Sequence, residues 1–152
     1  MLKQKLQEEL KQAMLSRDVL KTSVLRLLLS AVNYYEIQKG GAGYEATDED
    51  VMSVIQKEVK QRKDSIEQFK NANRQELVDK ETKELEMLQV YLPAQMDEQE
   101  IKKLVIEVIK ETNAKSIQDI GKVMGVLMPK TKGKADGGLV SKIVKEELSP
   151  KP

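Results

Sequence analysis

Apolar residues recur at helical intervals along nearly all of this chain, and that spacing narrows the choice of fold more than any other feature. Leu2, Leu6, Leu10 and Met14 fall at every fourth position, which marks one face of a first helix ending near Ser16-Arg17-Asp18. Val19, Leu20, Val24, Leu25, Leu27, Leu28, Leu29, Ala31 and Val32 follow at once, too many for a narrow stripe, so the second helix is predicted to be the central and most buried one. Gly40-Gly41-Ala42-Gly43 breaks it. Only 3% of the residues are aromatic and 34% are charged, a composition that suits helices better than strands. The predicted class is therefore all-α.

Thr47 with Asp50 three residues on has the spacing of an N-cap with an acidic first turn, opening a third helix that carries Val51, Val54, Ile55, Val59, Ile66 and Phe69. Asn71-Ala72-Asn73 can end it. A fourth helix with Leu77, Leu85, Leu88 and Leu92 is expected to stop at Pro93, which lacks a backbone donor and disfavours helix at the residue before it. Residues 91–96 form a candidate hinge. Beyond it, Asp97 with Glu100 and Ser116 with Asp119 repeat the capping spacing. Ile101, Leu104, Val105, Val108 and Ile109 make one apolar face. Ile117, Ile120, Val123, Met124, Leu127 and Met128 make the next, expected to end at Pro129, and Leu139, Val140, Ile143, Val144 and Leu148 mark a last helix after a polar loop. The expected organisation is a long-helix N-terminal domain over residues 1–92 and a small C-terminal helical domain over 97–152.

The chain has no Cys and no His, which removes disulfides, thiolate nucleophiles, imidazole acid-base chemistry and ordinary zinc sites. No cofactor and no metal are expected, and no catalytic residue is assigned. The N-terminus lacks a continuous apolar run and no window has the length needed to span a bilayer, so the chain reads as cytoplasmic with no membrane partner.

Net charge is only +1, yet it is unevenly placed. Residues 1–92 carry 15 basic and 16 acidic side chains, whereas residues 122–145 hold six lysines (Lys122, Lys130, Lys132, Lys134, Lys142 and Lys145) against Asp136 alone. Lys130, Lys132 and Lys134 alternate through the polar loop with Gly133 among them and Gly137 and Gly138 after it, just ahead of a helix whose first amides lack intrahelical partners. Backbone N–H groups, the positive helix end and mobile ammonium groups would together favour a phosphate or a carboxylate. Asp136 competes, since it is placed to cap that helix itself. A plain turn with solvating lysines accounts for the same residues. A P-loop does not, because Gly133-Lys134 is followed by Ala135 and Met128 stands where the first glycine belongs. Gly121 and Gly125, four apart, invite close approach of a second helix or of an RNA backbone. A second basic stripe, Lys60, Lys63, Lys70 and Arg74, is interrupted by Glu67 and suits intrahelical pairing.

Residues 91–96 and 121–145, with Gln61-Arg62-Lys63-Asp64-Ser65-Ile66-Glu67 and Asn71-Ala72-Asn73-Arg74, resemble the YqeY family over nearly the whole chain. The C-terminal block, Gly121-Lys122-Val123-Met124 through Met128-Pro129-Lys130 and Lys132 to Gly137, also resembles the C-terminal tail of the B subunit of the glutamine-dependent amidotransferase that converts misacylated Glu-tRNA and Asp-tRNA to the Gln and Asn forms. Ser141 stands where the family pattern often has Asn, so no specific polar contact is assigned there. The resemblance implies two all-helical domains and a tRNA-contacting element without the chemistry, with Lys122, Lys130, Lys132, Gly133, Lys134, Gly137 and Lys142 as the RNA-binding residues. Amidotransferase subunits or aminoacyl-tRNA machinery are the implied protein partners. Two other readings stand beside it: a protein-binding adaptor of an amidotransferase complex, and a carbon-nitrogen ligase with glutamine as amido-N-donor. The latter would need an activated nucleophile that no Cys, His or Ser-Lys arrangement here supplies.

Overall fold

A computed structural model describes residues 1–150. Among them are seven α-helices, one 3₁₀ turn and no strand, as the spacing of apolar residues requires. The chain divides into two compact units, Met1–Leu92 and the residues from Pro93 on.

The N-terminal unit contains α1 (Leu2–Leu15), α2 (Val19–Gly40), α3 (Asp48–Asn71) and α4 (Gln75–Gln89). Asp18 caps α2 by accepting from the Lys21 N–H, and Thr47 with Asp50 forms a complete capping box at the start of α3. Leu6, Val24, Leu25, Leu28, Val32, Val51, Ile55 and Leu88 are fully buried together, so α2 is the central helix of this unit. Met14 does not join them. Ala13 turns inward instead and Met14 is half exposed, because a strict four-residue repeat drifts around a helix of 3.6 residues per turn. Leu27 is likewise exposed on α2. The fourth helix ends at Gln89, earlier than Pro93 demands, and the Tyr91 and Leu92 amides close tighter turns onto the Leu88 and Gln89 carbonyls.

The C-terminal unit contains α5 (Glu98–Thr112), the 3₁₀ turn Ile117–Asp119, α6 (Ile120–Thr131) and α7 (Gly137–Leu148). Capping boxes occur at Asp97–Glu100 and Ser116–Asp119, as their spacing predicts. Ile101, Val105, Val108, Val123, Leu127, Val140, Ile143 and Val144 form an aliphatic core. Pro129 does not end α6, which runs on to Thr131. A proline there withholds one N–H from the carbonyl four residues back, and that residue is the exposed Gly125, whose carbonyl water can satisfy.

Candidate nucleic-acid interface

The lysine-bearing loop is an ordered strap. From Thr131 to Asp136 burial alternates residue by residue: Thr131, Gly133 and Ala135 point inward while Lys132, Lys134 and Asp136 point outward. Two neighbours in the segment before α5 hold it there. The Gln95 side-chain amide donates to the Gly133 carbonyl at 2.9 Å, and the Met96 N–H donates to the Lys134 carbonyl at 2.9 Å. Gly133 itself adopts φ of +75°, which a side chain would resist. The segment is a hydrogen-bonded turn, with the Lys134 and Ala135 N–H groups donating to the Thr131 carbonyl at 2.9 and 3.0 Å, and it leaves Lys132 and Lys134 exposed on either side of the buried Gly133.

The structure settles the competition at the start of α7. Asp136 is its N-cap and accepts from the Leu139 N–H at 3.2 Å, so the chain's own carboxylate stands at the helix end and takes one of its first amides. A carboxylate at that position disfavours a second anion at the helix end.

Lys130 and Lys134 line one shallow groove of about 550 Å³ with Gln95, Met96, Glu100 and Leu104. Lys130 also lies 3.7 Å from Glu111, a pair exposed on both sides and so weakly held. Lys132 is exposed and has an interaction of its own. Lys122 stands exposed on α6, where its charge helps the Lys115 and Ser116 N–H groups keep the Asp119 carboxyl below its ordinary pKa. Lys142 is exposed on α7, while Gly137 is the first residue of that helix and a side chain there would touch the end of Met128.

Gly121 and Gly125 serve no internal packing. A Cβ built at either would meet nothing within 4 Å, so the close approach of a helix within this unit is ruled out as the reason for them. Glycine inside a helix costs about 1 kcal/mol relative to alanine. Here that cost leaves α6 with an open, backbone-smooth face beside Lys122.

The second basic stripe comes apart. Arg74 falls outside α3 and pairs with Glu76 at 2.8 Å. Arg62, not singled out by periodicity, turns inward to Glu81 and the buried Glu84 on α4. Among the described residues no cluster of three or more acidic side chains is placed to hold a metal, and no helix is long and apolar enough to cross a membrane.

The family described as Yqey-like protein matches residues 3–148. A curated relative from Pyrenophora tritici-repentis, "Altered inheritance of mitochondria protein 41, mitochondrial", is 35% identical over 152 residues, covering 97% of this chain and 81% of the relative. Proteins of the same name match from Vanderwaltozyma polyspora, 37% identical over 57% of this chain and 46% of the relative, and from Saccharomyces cerevisiae, 32% identical over 79% and 66%. For these last two, the chain thus spans less than two thirds of the relative's length.

These names overturn the cytoplasmic assignment, since the relatives are designated mitochondrial. The missing apolar run argued only against a secretory signal. Organelle transit segments are amphipathic and Arg-rich, so that absence carries no information about them.

Proposed function

The chain belongs to the Yqey-like protein family, and on that premise we propose that it is a non-catalytic accessory protein whose C-terminal unit holds RNA by its phosphates. The observation that carries this reading is the strap from Lys130 to Lys134, pinned by Gln95 and Met96 so that its lysines face outward. Lys122 on α6 and Lys142 on α7 are further exposed cations of the same unit. Residues 93–152 contain no aromatic side chain, so recognition rests on phosphate contacts and shape and not on base stacking. The bare face at Gly121 and Gly125 lets a sugar-phosphate backbone come close to the helix. Transfer RNA is the expected ligand, because the block resembles the amidotransferase tail. The transamidation chemistry itself is expected to lie in other proteins.

Binding of tRNA measured against salt tests the proposal. With about four phosphates engaged, log affinity falls with log salt at a slope of roughly −3 to −4. Replacing Lys130, Lys132 and Lys134 by Ala together should reduce both affinity and slope while circular dichroism stays unchanged. A flat salt dependence, or full binding by the triple variant, overturns it. Ammonia release from glutamine by the pure chain would instead support the ligase reading.

A further inference from the structure

The outer face of α2 is a helix-pairing seam without an occupant among the described residues. Ser23, Leu27, Ser30, Tyr34 and Ile37 follow one another at spacings of four, three, four and three, the alternation that keeps a stripe facing a partner helix. All five are exposed, and the large ones strongly so: Leu27 by 55%, Tyr34 by 63% and Ile37 by 66%. Among the exposed residues of α2 there is no carboxylate, and the cations are Arg26 and Lys39. Lys39 is engaged by Asp50, and Gln38 donates to the Tyr34 hydroxyl at 2.7 Å. The core of the N-terminal unit needs none of the five seam residues.

We propose that this face pairs antiparallel with α2 of a second copy of the chain, Leu27 packing on Ile37 and Ser30 on Tyr34 across a twofold axis at the level of Val32. The seam is complementary to itself in this direction and in no other. Each copy offers a small residue, Ser30, opposite the large Tyr34, so both copies supply a knob and a hole. A parallel pairing would set Tyr34 against Tyr34, leave a void between the two Ser30 residues and bring the two Arg26 charges together. In the antiparallel pairing the Arg26 residues are separated by about 18 Å along the axis, beyond the screening length of physiological salt. Arg26 then shares its flank of the seam with the neutral Asn33 and Gly40 of the second copy. RNA gains little from an aliphatic seam whose exposed α2 cations are Arg26, which donates to the Met14 sulfur, and Lys39, which is held by Asp50, and this inference is independent of the RNA proposal.

The contact runs along one helix, at the small end of specific interfaces, so association should depend on concentration. Light scattering and sedimentation from about 1 to 500 µM are expected to show the mass rising from 17.2 kDa toward twice that value. Leu27→Glu with Tyr34→Glu should hold the chain at monomer mass with its helical spectrum intact, since both positions are exposed. The absence of cysteine permits a directional test. Asn33→Cys places two thiols beside the proposed axis and should crosslink under mild oxidation, whereas Ser23→Cys places them about 27 Å apart and should not. A monomer at every concentration overturns the proposal. So does a dimer that survives the double substitution, or a Ser23→Cys chain that crosslinks as readily as Asn33→Cys.

Discussion

Lys39 and Asp50 meet at 2.7 Å, with the ammonium seated 5.4 Å above the ring of Tyr35 and 5.3 Å above that of Tyr44. Both hydroxyls donate to the same carboxylate, at 2.9 and 2.7 Å, and the Thr47 N–H adds a fourth donor at 3.0 Å. Gly40 makes room for this, because a Cβ there would lie 2.6 Å from Tyr44. The cluster ties the end of α2, the following loop and the start of α3 into one piece. Glu36 repeats the device nearby, taking two contacts from Lys3 at 2.7 and 2.9 Å and one from the Ala46 N–H at 2.7 Å.

Burial alone would raise the Asp50 pKa, but the donors from Lys39, Tyr44, Thr47 and Tyr35 outweigh it and hold the carboxyl well below the ordinary range. A depressed folded-state value means stability that is present above the unfolded pKa of about 3.9 and is lost as pH falls through the folded one. Asp50→Asn should cost on the order of 2 kcal/mol at neutral pH. Its denaturation midpoint should also fall less steeply than that of the parent chain below about pH 4. Parallel acid profiles would contradict the assignment.

Arg62 sits between Glu81, at 3.1 Å, and the buried Glu84. Removing the guanidinium alone strands a buried carboxylate, so Arg62→Ala should destabilise the chain by about 3 kcal/mol. Adding Glu84→Leu should restore part of that loss. Additive costs in urea denaturation would show that the two groups are not coupled.

At Gly125, alanine should stabilise the folded chain by about 0.5–1 kcal/mol, because the site is open and mid-helical. The same substitution should weaken tRNA binding if the RNA backbone approaches α6 there. Thermal denaturation and binding on one preparation check both halves. A gain in stability with unchanged affinity would leave the lysines as the whole of the interface.

Gly133→Ala should cost about 1–2 kcal/mol, since φ of +75° strains any side chain and the residue is buried. Loosening of the strap should appear as faster hydrogen exchange at Met96 and Ala135, whose amides donate to Lys134 and Thr131. Unchanged protection would mean that the strap is held elsewhere.

The helices and their caps were legible because their causes are local. Thr47, Asp97 and Ser116 each act on an acid three residues away, and the aliphatic faces repeat within one helix. What escaped depends on distant partners. Arg62 reads as one cation in a polar stretch until Glu81 and Glu84 arrive from α4, and Asp50 reads only as the acid of a capping pair until Lys39, Tyr35 and Tyr44 converge on it. Pro129 reads as a helix end in the sequence, because whether it is one turns on whether the orphaned Gly125 carbonyl reaches water. In the candidate interface the lysines were visible by number, but not their outward alternation, which Gln95 and Met96 impose from outside the loop. Nor did sequence decide that Asp136 occupies the α7 end.

All four tyrosines and the single phenylalanine lie before Pro93, so the aliphatic core of the C-terminal unit has no near-ultraviolet chromophore. Tyrosine emission therefore follows the melting of the N-terminal unit alone, while far-ultraviolet ellipticity sums the helices of both. Where the two curves part, the gap between them is the unfolding of the unit that carries the lysines, read in the intact chain without a label.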